Sequence, residues 1–205
     1  YKGNIMEIRC IDKAYPVWEL TKLELPSLNV TELTGKENSS KLPINSKREP
    51  MYLDWSNSNH FHFKETWVKR KELVQEYLKS GRAYEECIEL MPMWPNRFSK
   101  FEWGTGEGSV QIIHDRTGFH MGPHIDNREV VGVMIVNLQD NPEGSGTNFH
   151  VDRDAPEAWY SGPTRRNTGV FFLNNWNTWH SVQNNGHDRL ICYDIMHLGE
   201  MFRNG

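Results

Sequence analysis

Residues 177–195 read Asn-Thr-Trp-His-Ser-Val-Gln-Asn-Asn-Gly-His-Asp-Arg-Leu-Ile-Cys-Tyr-Asp-Ile. Two apolar-rich runs, Thr178–Gln183 and Arg189–Ile195, flank the turn residues Asn184-Asn185-Gly186-His187. An Asn-Gly pair between such runs predicts a β-hairpin closed by a type I′ turn. In that register Asn184 faces His187, Gln183 faces Asp188 and Val182 faces Arg189. Side chains two apart on a strand share a face, so Val182 lies on the face of His180. Arg189 then joins that face, roughly 7 Å from His180 on the diagonal. A four-residue loop keeps this parity, and a three-residue loop breaks it.

The same texture extends upstream. Short apolar runs occur at Ser109–Ile113, Val130–Leu138, Thr147–Val151 and Gly169–Leu173. Between them stand Gly104-Thr-Gly, Asn141-Pro, Gly144-Ser-Gly and Ser161-Gly-Pro. Many short strands separated by turn signals predict a mainly β chain folded as a double-sheet sandwich or jelly roll. Before residue 98 the pattern differs. Lys64 to Ser80 predicts a helix, with Trp67, Val74, Tyr77 and Leu78 on one face and Gly81 at the C-terminal cap. Ala83 to Leu90 predicts a second short helix, and residues 1 to about 60 read as irregular. The expected organisation is one structural domain. A helical and irregular N-terminal arm, residues 1–98, packs on a β-barrel core, residues 99–205.

Composition narrows the function classes. The chain has 205 residues and a net charge of −4. It shows no basic stripe of the kind duplex nucleic acid requires. Lys69-Arg70-Lys71 falls on the predicted helix and reads as a solvated face. The three cysteines, Cys10, Cys87 and Cys192, form no CxxC, so reduced thiols in a cytoplasmic protein are expected. No apolar stretch approaches the roughly 18 residues needed to cross a bilayer, so no membrane association is expected.

Chemistry concentrates in the β-rich half. In His124-Ile125-Asp126 an imidazole and a carboxylate stand at i and i+2, and they converge if the segment opens a strand. Two histidine nitrogens, one carboxylate oxygen and open positions suit a non-haem Fe(II) that must also bind oxygen. His180 is the best third ligand, because it comes from another strand. Arg189 on the same face supplies a guanidinium to a barrel interior, where buried arginine is rare unless paired. The far carboxylate of an Fe(II)-chelating 2-oxoglutarate offers it a bidentate, charge-assisted partner. An arginine on the outer face needs no partner. Leu190-Ile-Cys-Tyr-Asp-Ile is apolar on both faces, so alternation alone does not choose between the two.

Residues from about 100 to 197 resemble the 2-oxoglutarate/Fe(II)-dependent dioxygenase superfamily, within it the prolyl-4-hydroxylase-like branch. The resemblance rests on His124-Ile-Asp126, on His180, on Arg189 nine residues later, and on Gly144-Ser-Gly-Thr-Asn-Phe, which is similar to the family's GGxTxF stretch. It implies a double-stranded β-helix, or jelly roll, with Fe(II) on His124, Asp126 and His180 and 2-oxoglutarate held by Arg189. It also implies use of O2, with hydroxylation of a substrate C–H bond and release of succinate and CO2. Halogenating relatives lack the carboxylate that Asp126 provides. Two positions depart from the pattern. His114 stands ten residues before the first metal histidine, where the branch often has tyrosine. Asn137 stands near a second co-substrate contact that is also often tyrosine. Both keep a hydrogen-bonding group, and neither carries a prolyl substrate over to this chain.

The remaining candidates have plainer readings. His60-Phe-His62 reads as surface or packing histidines, His150 as a satisfied polar contact and His187 as a turn residue. Trp176 and Trp179 read as wall packing, and Arg165-Arg166 as solvated charge. Partners are expected to be a small-molecule or peptide substrate. Two rivals remain: a cupin-like metal enzyme that does not use 2-oxoglutarate and needs no Arg189, and a non-catalytic jelly-roll binding module.

Overall fold

A computed structural model of the chain describes residues 6–35, 47–54, 56–86, 101–103, 110–127, 130–184 and 186–198. Cys87, the C-terminal part of the second predicted helix, the Gly104-Thr-Gly turn and Asn185 lie outside them. The strands are β1 (Glu7–Asp12), β2 (Tyr15–Thr21), β3 (Thr34–Gly35), β4 (Arg48–Tyr52), β5 (Phe101–Trp103), β6 (Gln111–Asp115) and β7 (His120–His124). They continue as β8 (Val130–Asn137), β9 (Thr147–His150), β10 (Tyr160–Ser161), β11 (Gly169–Leu173), β12 (Trp179–Gln183) and β13 (Arg189–Leu198). Two helices, α1 (Ser58–Lys79) and α2 (Arg82–Glu86), separate β4 from β5.

The strands form two antiparallel sheets. The larger runs β1-β2-β11-β8-β13-β6-β4-β3, with β5 also on β13, and the smaller runs β10-β9-β12-β7. Facing sheets of this kind are a double-stranded β-helix. The described residues before 60 are not all irregular: β1 and β2 extend one edge of the larger sheet, and β3 and β4 form the other. Pro16 and Pro50 hide two of these strands from a sequence reading, because proline argues against a central strand. Pro50 is tolerated in β4, which lies one strand from the edge.

Both faces of the larger sheet are covered. On one, α1 packs Phe63, Trp67, Val74 and Leu78 against Trp18, Met134, Phe171, Cys192 and Met196. On the other, Val133, Val170 and Phe172 meet Phe149 of the smaller sheet. This double covering explains why β13 is apolar on both faces: Leu190 and Cys192 point to the helix, while Ile191, Tyr193 and Ile195 point between the sheets. The helix starts six residues before the expected Lys64. Asn57 caps it by accepting from the Asn59 amide at 2.9 Å, and His60 and Phe63 continue its buried face. Gly81 supplies the positive φ (83°) that ends it.

Lys71 departs from the solvated-face reading. It is buried, and its ammonium pairs with buried Asp194 at 2.5 Å, while Arg70 donates to the Leu23 carbonyl at 2.6 Å. Among the described residues, no helix is long and apolar enough to cross a membrane.

Candidate active site

The metal-type residues meet between the sheets at the edge of the smaller one. His124 ends β7 and lies directly opposite His180 of β12. Their rings are 4.3 Å apart between centroids. Asp126 follows two residues past the strand end, so the His-X-Asp segment closes a strand rather than opening one. Gly122-Pro123 disguises β7 in the sequence, and Pro123 is accommodated because β7 is an edge strand. One ligand atom from each of His124, Asp126 and His180 lies within 4.8 Å of the others.

The surrounding bonds orient these groups. The Nδ1 of His124 donates to the Gly122 carbonyl at 2.9 Å, and the Nδ1 of His180 to the Thr178 carbonyl at 3.0 Å. A ring that donates from Nδ1 presents the Nε2 lone pair, which is the arrangement a metal needs. Burial among Phe149 and Phe172, with His124 alongside, pushes the pKa of His180 down to about 3, so it is a neutral donor. Burial raises the carboxyl of Asp126, with His124 opposing the shift, and its Oδ2 is buried without a hydrogen-bond partner. A divalent cation would satisfy that orphaned oxygen and restore the anion. Two imidazoles and one carboxylate fit Fe(II).

Asn174 is the supporting residue that the sequence reading missed. Its Oδ1 accepts from the Asp126 amide at 3.2 Å, and its Nδ2 donates to the carbonyls of Asp126, Asn127 and Val130 at 2.9–3.2 Å. It therefore clamps the backbone that presents Asp126. Its only sequence signal is membership of the polar run Asn174-Asn175-Trp176-Asn177.

Arg189 opens into the same cavity, a space of about 570 Å³, but not by the expected hairpin. Strand β12 belongs to the smaller sheet and β13 to the larger, so the chain crosses between sheets instead of doubling back. Asn184 explains the crossing: its amide donates to the Phe119 carbonyl at 2.8 Å and its carbonyl accepts from Gly118 at 2.6 Å. The inward faces of the two sheets oppose each other, so His180, Val182 and Arg189 still line one space. Arg189 is 1% exposed. Its Nη1 donates to the Ser145 carbonyl at 3.2 Å, and its Nε has no partner. Burial lowers its pKa to about 10, Asp115 opposes the shift, and Arg48 adds to it. A carboxylate-bearing ligand fits this unsatisfied guanidinium. Ser145 and Thr147, from the glycine-rich stretch, sit against Arg189 and on the cavity wall respectively.

His114 and Asn137 do not line the cavity. Gln111 and Ile113 of β6 do, so His114 has the opposite parity and points outward, where its Nε2 meets Asp188 at 3.0 Å. The amide of Asn137 is committed to the Pro163 and Thr168 carbonyls at 2.7 and 3.1 Å. The cavity also takes Arg48, Phe119, His120, Met121 and Tyr193, none of which the sequence singled out. His60 is buried against the Asp54 amide, and His62 is exposed. His150 pairs with Ser181 at 2.8 Å, His187 is exposed, and Arg165 is exposed. Arg166 donates to the Leu25 carbonyl at 2.7 Å. Trp176 is 70% exposed and packs no wall.

No protein-family model matches the chain, and no curated protein matches it. Solved structures match it in fold. The viral collagen prolyl hydroxylase of Paramecium Bursaria Chlorella virus-1, in its 2OG complex, aligns at a TM-score of 0.51 and 15% identity over 75% of this chain and 81% of that one. A prolyl hydroxylase from Trichoplax adhaerens, in complex with a peptide fragment of the hypoxia inducible factor oxygen degradation domain, aligns at 0.54 and 9% over 84% and 73%. A Pseudomonas putida prolyl-4-hydroxylase aligns at 0.50 and 11% over 90% and 93%. The chain therefore has the jelly-roll fold of the prolyl hydroxylases.

Proposed function

We propose that the protein is an Fe(II)- and 2-oxoglutarate-dependent oxygenase that hydroxylates a substrate C–H bond and releases succinate and CO2. The observation that carries this reading is one cavity holding both the His124, Asp126 and His180 donors and a buried guanidinium whose Nε is unpaired. His124, Asp126 and His180 would hold the metal. Arg189 binds the far carboxylate of 2-oxoglutarate. Bound Fe(II) with 2-oxoglutarate supplies the oxygen activation, and the chain supplies orientation and a water-poor enclosure. Asn174 fixes Asp126, and the apolar wall of Val133, Ile135, Ile191 and Ile195 excludes water.

The buried guanidinium of Arg189, with its Nε unpaired, favours this reading over a cupin-like enzyme without 2-oxoglutarate, which has no use for a buried cation there. The orphaned Asp126 oxygen favours it over a non-catalytic jelly-roll module. The substrate is a small molecule or a peptide side chain. The acidic net charge argues against duplex nucleic acid. Three cysteines with wide spacing and no CxxC suit a reducing compartment, and the cytoplasm is the expected location.

Anaerobic addition of Fe(II) and then 2-oxoglutarate, followed optically, tests the proposal. One metal and one 2-oxoglutarate per chain are expected, with uptake of the second requiring the first. Fe(II) binding with no 2-oxoglutarate uptake would favour the cupin-like rival. No Fe(II) binding would leave a binding module.

A further inference from the structure

Arg48, Asp115 and Arg189 form a row across three adjacent strands. Asp115 of β6 is the register partner of Arg189 on β13 and of Arg48 on β4. Asp115 is fully buried, and among the described residues it is the one acidic group whose charge acts on Arg189. Both of its oxygens are already held by Arg48: Nε reaches Oδ1 at 2.6 Å and Nη2 reaches Oδ2 at 2.8 Å. A forked guanidinium–carboxylate pair of this kind fixes orientation as well as charge. The Arg48 guanidinium is also stacked over the Phe119 ring, 4.1 Å from its centroid, which holds the fork in place. Arg189 makes no hydrogen bond to Asp115. Its Nη1 donates to the Ser145 carbonyl, and its Nε is left over.

Two guanidiniums and one carboxylate leave the row with a net charge of +1. We propose that Arg48 is a positioning residue for the co-substrate anchor: by occupying both oxygens of Asp115, it keeps Arg189 unneutralised and available to a ligand carboxylate. The inference rests on the oxygenase reading and adds to it a residue from the N-terminal strands. Without Arg48, the buried carboxylate of Asp115 would need another cation, and Arg189 is its register neighbour. The internal pair would then compete with 2-oxoglutarate.

The competition model makes a sign-specific claim about a double variant. Calorimetric titration of 2-oxoglutarate into Mn(II)-loaded protein under nitrogen reads affinity without turnover. Arg48→Met is expected to weaken binding at least tenfold with metal stoichiometry unchanged. Arg48→Lys, which keeps a cation on Asp115, is expected to stay within about threefold of wild type. Arg48→Met combined with Asp115→Asn is expected to recover to within about threefold, because the competitor has gone. A purely structural role for Arg48 predicts the reverse, since the double variant should then be no better than the single. Tight binding by Arg48→Met, or a double variant as weak as the single, overturns the inference and leaves the oxygenase reading intact. If Arg48→Met does not fold, the Arg48→Lys and double variants still decide: tenfold weakening in either overturns it. Wild-type protein that takes up metal but no 2-oxoglutarate overturns both.

Discussion

At the residue scale, Asp126 is costly to the metal-free protein. Burial raises its carboxyl above the ordinary range, and one oxygen is unsatisfied. A carboxyl whose folded pKa is raised contributes stability below its unfolded pKa, and that contribution is lost as pH rises through the folded value. Metal-free Asp126→Asn should therefore melt above metal-free wild type at neutral pH, and the two should converge in acid. The same variant should lose tight Fe(II) binding. Melting curves in chelator at both pH values check the first claim, and an Asn variant less stable at neutral pH would refute it. Arg189 makes a different prediction. Removing one partner of a buried ion pair costs roughly 3–5 kcal/mol, or about two to four decades in affinity. Arg189→Ala should raise the 2-oxoglutarate requirement at least a hundredfold with Fe(II) binding little changed, and Arg189→Lys should recover part of it. Titration of metal-loaded variants reads both. Saturation of Arg189→Ala at wild-type concentrations would move the anchor elsewhere.

At the element scale, the pairing of β8 with β11 fixes the wall behind the site. Gly169 permits their close approach, because a Cβ there would lie 2.1 Å from the Ile135 carbonyl oxygen. Gly169→Ala must push β11 away from β8, an overpacking cost of about 1–3 kcal/mol. In a chain of this size each kcal/mol lowers the melting temperature by about 2–4 °C, so calorimetry should find a clear drop. An unchanged melting temperature would mean that the sheet yields freely. The elements also show what a sequence discloses. Gly169–Leu173 and Val130–Asn137 are continuous apolar runs bounded by turn residues, and periodicity finds them. Strand β7 was hidden by Gly122-Pro123, and β2 and β4 by Pro16 and Pro50; β7 is an edge strand, Pro16 stands beside the bulge between β1 and β2 and short of the pairing with β11, and Pro50 lies past the two-residue pairing with β3. The hairpin at 184–187 was wrong because Asn184 bonds to Phe119, a partner 65 positions away that no local turn rule weighs. Arg189 nonetheless reaches the site, since parity is kept when a chain passes between two sheets that face each other.

Across the whole molecule, α1 is tied to the sheet by a buried ion pair as well as by apolar packing. Lys71 and Asp194 pair at 2.5 Å behind the wall whose front bears Tyr193 and Ile195. Lys71→Met should destabilise the protein by about 3–5 kcal/mol by stranding Asp194. Lys71→Met with Asp194→Leu should recover most of that loss, as hydrophobic replacement of a buried pair is often neutral. Denaturant titrations measure both, and a double variant as unstable as the single would show that the pair is needed for more than neutralisation. The candidate metal residues were legible because their chemistry is carried by spacing along the chain: His124-X-Asp126, then His180, then Arg189. Arg48, Asn174 and Tyr193 were not, because each gains its place only from strands brought together by the fold. Coupling of oxygen to 2-oxoglutarate in this cavity is read from succinate formed from 2-oxoglutarate with Fe(II), in air and under nitrogen. Succinate is expected in air, none under nitrogen, and none from Asp126→Ala in either. Succinate that forms equally under nitrogen, or that persists undiminished in Asp126→Ala, would contradict it.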